Sequence, residues 1–284
     1  MAGSGLIGIK RRIKSVTNTS KITKAMGLVA TSKFRKTKDE LEKNQKYTDS
    51  FKEVLKDVLI SHTSPNVYKD GNGSKKKLYI VLTSDSGLCG SFNANIINKA
   101  VEEIKDDKEN SIIMVIGAKG ISYFSRFNYE VALKYTDIHD IPTLGDANDF
   151  AMVAWKMYKN REVGQIKIIY AHFISQAKQD IVVEQLLPFS SGESTKDNNG
   201  FTIFEPTIES VIKDMIPLYM REKVLNCLLQ SKTSEQATRM TAMDGATKSA
   251  NQLLDKLKLQ FNRLRQSAIT QEISEIVGGA EAQK

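Results

Sequence analysis

Apolar residues recur at seven-residue spacing through the first part of the chain. One seam runs Leu6, Ile13, Ser20, Gly27, Phe34, Leu41, Thr48, Leu55. The other runs Ile9, Val16, Thr23, Ala30, Thr37, Asn44, Phe51, Val58. Residues 6 to about 60 contain no proline, and their only glycines are Gly8 and Gly27. The pattern predicts one amphipathic helix of roughly 80 Å at about 1.5 Å per residue. Its seams are apolar at both ends and small or polar in the middle. A stripe of that length cannot be buried in a small domain and needs a long partner helix.

The partner lies at the other end of the sequence. Glu205-Pro206-Thr207 opens a helix, with proline suited to the first turn. Pro217 is expected to break or kink it. A second long run follows from Leu218 to about Val277, with seams Met243, Ala250, Leu257, Leu264 and Thr247, Leu254, Phe261, Ala268. The simplest closure is an antiparallel pair within one chain. Residues at equal height in such a pair have a constant sum of numbers, expected near 265 to within one or two turns, because Pro217 interrupts the second helix. Ile13 then stands level with residues near 252, where Leu253 and Leu254 face it. Met26 stands level with Arg239 and Met240. Met1 lies opposite Leu264, and everything beyond about residue 265 projects as a single helix.

Between the arms the periodicity changes. Ser61 to Ser74 reads as a soft linker with Pro65, Gly71 and Gly73. Strand patterns at Leu78–Thr83, Ile112–Ile116, Tyr129–Leu133, Ile166–Phe173 and Ile181–Leu187 then alternate with helix patterns at Ala94–Lys105, Gly120–Phe127 and Ala147–Asn160. Phe201–Phe204 reads as an edge strand after a polar turn at 196–200. This order argues a Rossmann-like layered sheet. The predicted fold class is α/β: a long antiparallel two-helix coiled coil formed by the N- and C-terminal helices, with an inserted Rossmann-like α/β domain. The expected divisions are residues 1–60, 75–205 and 207–284.

Composition narrows the function. The 284 residues suffice for one or two domains with a real core, and 40% hydrophobic with 26% charged is ordinary for a soluble protein. No apolar run approaches the roughly 20 residues that span a bilayer, so membrane association is expected to be indirect or peripheral. Cys89 and Cys227 are far apart and lack metal-ligand spacing; they read as reduced thiols. Net charge is +8, from 41 basic and 33 acidic residues. The first 38 residues hold ten Lys or Arg and no acid, which leaves the remainder at a net of −2. Such a segment also fits a transit peptide, but the helical pattern runs on through residues 39–60 without a cleavage-like break. Lysine preferred over arginine gives the composition a bacterial look.

Few residues suggest chemistry. Thr83-Ser84-Asp85-Ser86-Gly87-Leu88-Cys89-Gly90-Ser91-Phe92-Asn93 follows a strand and precedes a helix, the place where α/β folds hold phosphate on helix N-terminal amides. It lacks the lysine and spacing of a Walker loop and is not a G-x-G-x-x-G fingerprint, so a tight structural turn is the plainer reading. His62, His139 and His172 are scattered, and no G-x-S-x-G appears. Asp137, His139 and Asp140 read as a polar loop before Pro142 rather than a metal site. A basic helix suits nucleic acid, a membrane surface or an acidic protein partner. Aromatic interleaving for base stacking is poor: Phe34 is the only aromatic before Tyr47, and it falls on the seam.

Four segments carry a resemblance. They are Thr19-Ser20-Lys21-Ile22-Thr23-Lys24-Ala25-Met26, the turn Ser84-Asp85-Ser86-Gly87-Leu88-Cys89-Gly90, Ala237-Thr238-Arg239-Met240-Thr241-Ala242-Met243, and the C-terminal Ala268-Ile269-Thr270-Gln271-Glu272-Ile273-Ser274-Glu275-Ile276-Val277-Gly278-Gly279-Ala280. Together they resemble the gamma subunit of F-type ATP synthases along essentially the whole chain. The resemblance implies a non-catalytic rotating shaft without cofactor or metal, inside a ring of alpha and beta subunits. It implies a foot that meets the epsilon subunit and the ring of c subunits, on the cytoplasmic face of a bacterial cell membrane. It implies ring contacts by Arg265 and Gln266, by Thr270 and Glu272 of the C-terminal signature, and by Lys24, Met26 and Arg239 along the shaft. The central domain lacks the cysteine pair of the thiol-regulated chloroplast form. The rival readings are an α/β nucleotide-binding enzyme and a basic coiled-coil nucleic-acid binder.

Overall fold

The computed structural model describes residues 2–62, 64–189, 204, 205 and 207–281. In chain order the elements are α1 Ala2–Ser61, α2 Val67–Asp70, β1 Lys77–Leu82, α3 Phe92–Ile104, β2 Ser111–Ile116, α4 Ala118–Arg126, β3 Val131–Tyr135, α5 Leu144–Lys159, β4 Gln165–Phe173, β5 Gln179–Leu187 and α6 Ile208–Glu281. The chain divides into two compact units. One is Met1–Ala30 with Met240–Lys284; the other is Thr31–Arg239.

In the first unit, the N-terminal half of α1 pairs antiparallel with the C-terminal half of α6. The two hydroxyls of Thr23 and Thr247 are 2.7 Å apart, and Ser20 Oγ donates to Asn251 Oδ1 at 2.8 Å. A Cβ added to Gly27 would sit 3.5 Å from that of Met243, so the glycine lets the two backbones draw close. Every predicted seam position of α1 is buried or half-buried, as is every predicted position of α6 except the exposed Leu264. The heptad therefore locates the contact face correctly.

The register lies within the expected one or two turns, at its upper side. These pairs sum to 270 or 271, about one helical turn beyond the expected 265. Ile13 stands level with Leu257, and Met26 with Asp244 rather than Arg239 and Met240. Leu254 is buried, whereas Leu253 is 39% exposed and does not face the seam. The last buried residue of α6 is Ala268, and residues 269–280 are exposed. Pro217 neither breaks nor ends the helix; α6 runs through it. An internal proline costs about 3 kcal/mol, but burial of a single large apolar side chain returns about 1.5–3 kcal/mol. Here Ile212, Ile216, Tyr219 and Met220 flank it and are all buried. Tertiary packing overrides the local preference.

In the second unit the same two helices pair again. Phe51 stacks on Tyr219 with centroids 5.9 Å apart, and Asn226 Nδ2 donates to Asn44 Oδ1 at 3.0 Å. His62 Nε2 lies 3.3 Å from Glu209 Oε1, which closes the end of the pair. A five-stranded sheet in the order β3-β2-β1-β4-β5 fills the rest. Its first four neighbours are parallel, and β5 returns antiparallel to β4 as a hairpin. The central β1 is buried on both faces, which explains its unbroken apolar run. Leu78, Ile80 and Leu82 point into the core shared with α1, α5 and α6. Tyr79 and Val81 point into the core under α3 and α4. The strand alternation thus welds two apolar layers to one sheet.

The five strands and three helices predicted between residues 78 and 187 are present, with ends moved by at most three residues; the largest shifts in a strand start are two residues, at β3 (Val131 rather than Tyr129) and β5 (Gln179 rather than Ile181). The linker holds the short α2, opened by Asn66 Oδ1 accepting from the Tyr68 amide. The predicted turn at 196–200 and most of the predicted strand at 201–204 lie outside the described residues. Phe204 is not in a strand.

Candidate functional site

The exposed end of α6 gathers most of the predicted contact residues. Arg265, Gln266, Thr270 and Glu272 are exposed. Ile269, Ile273, Ile276 and Val277 are exposed with them, the first at 47% and the third at 71%. At about 100° per residue these eight side chains fall within about 160° of the helix circumference. Their centre is turned about 120° from the seam defined by Leu254, Leu257 and Ala268. Thr270 Oγ1 donates back to the Gln266 carbonyl at 3.0 Å, which ties two of them together across one turn. The result is a mixed apolar and polar face that the pairing with α1 does not use. Contiguous exposed apolar surface of this kind is uncommon on a monomeric soluble protein.

On α1, Lys24 is exposed and Met26 half-buried. Ile22, Leu28 and Val29 beside them are more than half exposed, so this stretch also carries open apolar surface.

Arg239 is placed differently. It is 7% exposed, and its guanidinium is spent inside its own unit. Nη1 pairs with Glu235 Oε1 at 2.7 Å, one turn back on α6. Nη2 donates to Ser86 Oγ at 2.9 Å and to the Ser86 and Gly87 carbonyls, both at 3.2 Å. Arg239 therefore clamps the β1–α3 turn.

That turn has the shape of a phosphate loop but other uses for its polar groups. Ala118 N donates to Asp85 Oδ1 at 3.0 Å, Lys119 N to the Ser84 carbonyl at 3.0 Å, and Gly120 N to Thr83 Oγ1 at 3.0 Å. These bonds tie the turn to the first amides of α4. Ser84 N donates to Asn93 Oδ1, and Asn93 Nδ2 donates to Ser84 Oγ. Gly117 has φ of 105°, and a Cβ there would fall 2.3 Å from the Thr83 carbonyl oxygen. Burial pushes the Cys89 thiol above its ordinary pKa, against the lowering effect of the Ser84 hydrogen bond. The turn is a structural junction between β1, α3 and α4. The polar loop near Pro142 is likewise committed: Asp140 pairs with Lys33 at 2.8 Å, and His139 with Asp146 at 2.9 Å.

The sequence reading missed a buried polar stretch on α6. Between Glu222 and Arg239, Asn226, Gln230, Ser231, Thr233, Ser234, Glu235 and Gln236 are all buried. Lys223 pairs with Glu184 at 2.8 Å, and Tyr170 Oη donates to Glu184 Oε2 at 3.0 Å. Burial opposes the Lys223 charge, but Glu184 and its other neighbours outweigh this and hold its pKa above the ordinary lysine value. A heptad analysis assigns such residues to the solvent side. The local sequence carries no signal, since the run from Ser231 to Gln236 still contains Lys232 and Glu235.

Comparison with known proteins decides the family. A family model described as ATP synthase matches residues 5–283. The ATP synthase gamma chain of Clostridium botulinum (strain Okra / Type B1) is 53% identical over 284 residues, all of both chains. The chain belongs to the ATP synthase gamma-chain family. Its role in that family is the central rotor shaft, a non-catalytic subunit of the enzyme. Among solved structures, the central stalk and c-ring part of the Tetrahymena thermophila mitochondrial ATP synthase matches 79% of this chain and 99% of its own, at 27% identity and a TM-score of 0.63. A chain from the Euglena gracilis mitochondrial ATP synthase (the OSCP/F1/c-ring part, rotational state 3) shares the fold over 99% of this chain and 95% of its own, with a TM-score of 0.71 at 17% identity. Among the described residues, no helix of this gamma-family chain is long and apolar enough to cross a membrane.

Proposed function

We propose that this shaft turns within a ring of alpha and beta subunits. The inserted domain, residues 75–205, is the foot that meets the epsilon subunit and the c ring. The complex lies on the cytoplasmic face of a bacterial membrane and couples proton or sodium flow to ATP synthesis or hydrolysis. The observation that carries this reading is the unused face of α6 beyond Ala268. Its apolar side chains give a low-friction bearing, since apolar contact is non-directional. Arg265, Gln266, Thr270 and Glu272 on the same face give direction-dependent contacts to the beta subunits. Lys24 and Met26 extend the contact along α1. Arg239 contributes by holding the Ser86–Gly87 turn, whose carbonyls it fixes.

An asymmetric rotor acts by differential binding. It stabilises one conformation of a catalytic neighbour more than another, and its rotation moves that preference around the ring. Only the difference in contact energy between states transmits work, so a uniform surface would transmit none. Individual exposed ion pairs contribute about 0–1 kcal/mol, and several must change together.

The test has two parts. A tagged chain taken from membranes in mild detergent should bring down alpha, beta, epsilon and c subunits, and the purified chain alone should have no ATPase turnover. In the assembled complex, Arg265→Ala with Gln266→Ala should lower ATPase turnover or torque without loss of assembly. Unchanged turnover and torque in that double variant would remove the proposed beta contact.

A further inference from the structure

Strand β4 outruns its neighbour. β1 pairs with it as far as Val81↔Ile169, whereas β5 pairs with it on to Phe173↔Gln179. Residues 170–173 of β4 thus lack a strand partner on the β1 side. Ala171 and Phe173, two residues apart, direct their backbone groups to the same side of the strand. Unsatisfied groups there would be costly, because Ala171 is fully buried.

Helix α6 supplies the missing partners with side chains. Ser234 Oγ donates to the Ala171 carbonyl at 3.0 Å. Phe173 N donates to Gln230 Oε1 at 2.9 Å. Gln230 and Ser234 are one turn apart on the same helix face, so their spacing matches the strand groups they serve. The other end of the Gln230 amide donates to Gln45 Oε1 of α1 at 3.1 Å. One side chain, 5% exposed, therefore bridges both long helices and the sheet. Thr238, one turn beyond Ser234, reaches Gln179 Oε1 at 3.4 Å, on the strand that pairs with this same end of β4.

Apolar packing would stabilise this contact more simply. It would also permit sliding, since dispersion and hydrophobic contact have little directional preference. Buried hydrogen bonds do not slide: a shift of an ångström breaks them and leaves both groups unpaired in a poor solvent. We propose that Gln230 and Ser234 are positioning residues that key α6 into the end of β4, so that twist applied to the sheet passes to the helix without slip. The proposal rests on the shaft reading above and adds where the torque crosses between elements.

The experiment uses the intact complex held by its alpha/beta ring, with a probe bead on an exposed residue of the sheet unit. Gln230→Met with Ser234→Ala should leave assembly and ATPase turnover in place but lose torsional stiffness, read as wider angular fluctuation of the stalled bead. Ser234→Thr, which keeps the hydroxyl, should restore the stiffness lost in Ser234→Ala. Hydrogen exchange gives a second measurement. In Gln230→Met the Phe173 amide should exchange about fivefold faster, as loss of a roughly 1 kcal/mol hydrogen bond requires. Unchanged stiffness together with unchanged Phe173 exchange would overturn the key. Failure of the unsubstituted chain to join the ring would instead overturn the shaft reading.

Discussion

The same two helices build two different environments. Between Glu222 and Arg239, α6 is buried on nearly every side, and several of its polar residues, Asn226, Gln230, Ser234 and Arg239 among them, have hydrogen-bond partners within the unit. From Met240 onward only the seam positions Met243, Ala250, Leu254, Leu257 and Ala268 are buried, and most of the circumference is open. The first stretch is held by a sheet and a second helix; the second is held by one helix alone. A heptad specifies the contact with one partner and is silent about any other. What surrounds the rest of the helix depends on chain folded from elsewhere.

This comparison predicts unequal responses to the same kind of damage. Ile80→Ala, in the fully buried β1, should cost about 2–5 kcal/mol by chemical denaturation. Leu254→Ala, in the two-helix seam, should cost distinctly less, because a surface-adjacent site relaxes and admits water. Equal costs would mean the seam is as closed as the sheet core. Next in size is Gly120→Ala. Its new methyl would meet Thr83 Oγ1 at 2.6 Å and Val115 Cγ1 at 2.8 Å, so about 1–3 kcal/mol should be lost. The same exchange at Gly245, which has nothing within 4 Å and sits mid-helix, should gain stability, about 0.5–1 kcal/mol.

A smaller effect depends on pH. The start of α5 is closed by a capping box between Thr143 and Asp146. Burial raises the Asp146 pKa, but the Thr143 amide, His139 and the Thr143 hydroxyl outweigh it and hold the carboxyl below its ordinary value of 3.8. A depressed carboxylate stabilises the fold above that ordinary value and loses its contribution as pH falls through the folded value. Asp146→Asn should therefore cost about 1 kcal/mol at neutral pH, and the gap from the unsubstituted chain should close in acid. A gap that stays constant from neutral to acid pH would show that the charge contributes nothing. Smallest of all, Thr23→Val with Thr247→Val replaces both partners of the seam hydrogen bond by groups of like shape. Stability should stay within about 0.5 kcal/mol, which would mark that bond as dispensable, in contrast to those around Gln230.

Much of this was legible beforehand. The α1 seams were readable because a long helix that packs along one face repeats one rule for sixteen positions, and all of them came out buried or half-buried. The strands were readable from their apolar runs. The register was legible only to one or two turns, because Pro217 was expected to interrupt a helix that instead runs through it, beside the buried Ile212, Ile216, Tyr219 and Met220. Arg239 was identified from a family segment, but its bonds to Ser86 and Gly87 join residues some 150 positions apart. Gln230 and Ser234 carried no local signal at all. Their partners are backbone atoms of β4, whose need arises only because β1 is the shorter strand.

The two cysteines lead to a practical result. Cys227 is fully buried and its thiol is pushed up to about 12, first by burial; Cys89 is 2% exposed and shifted the same way. Nucleophilic attack needs the thiolate, so near neutrality both sulfurs are chemically silent while the sheet unit is closed. A maleimide or iodoacetamide added to the native chain thus acts as a clock: each label acquired records one opening of that unit. A cysteine introduced on an exposed position would take the reagent at once. Attachment points for dyes or beads can therefore be placed on this rotor without first deleting the sulfur it already has.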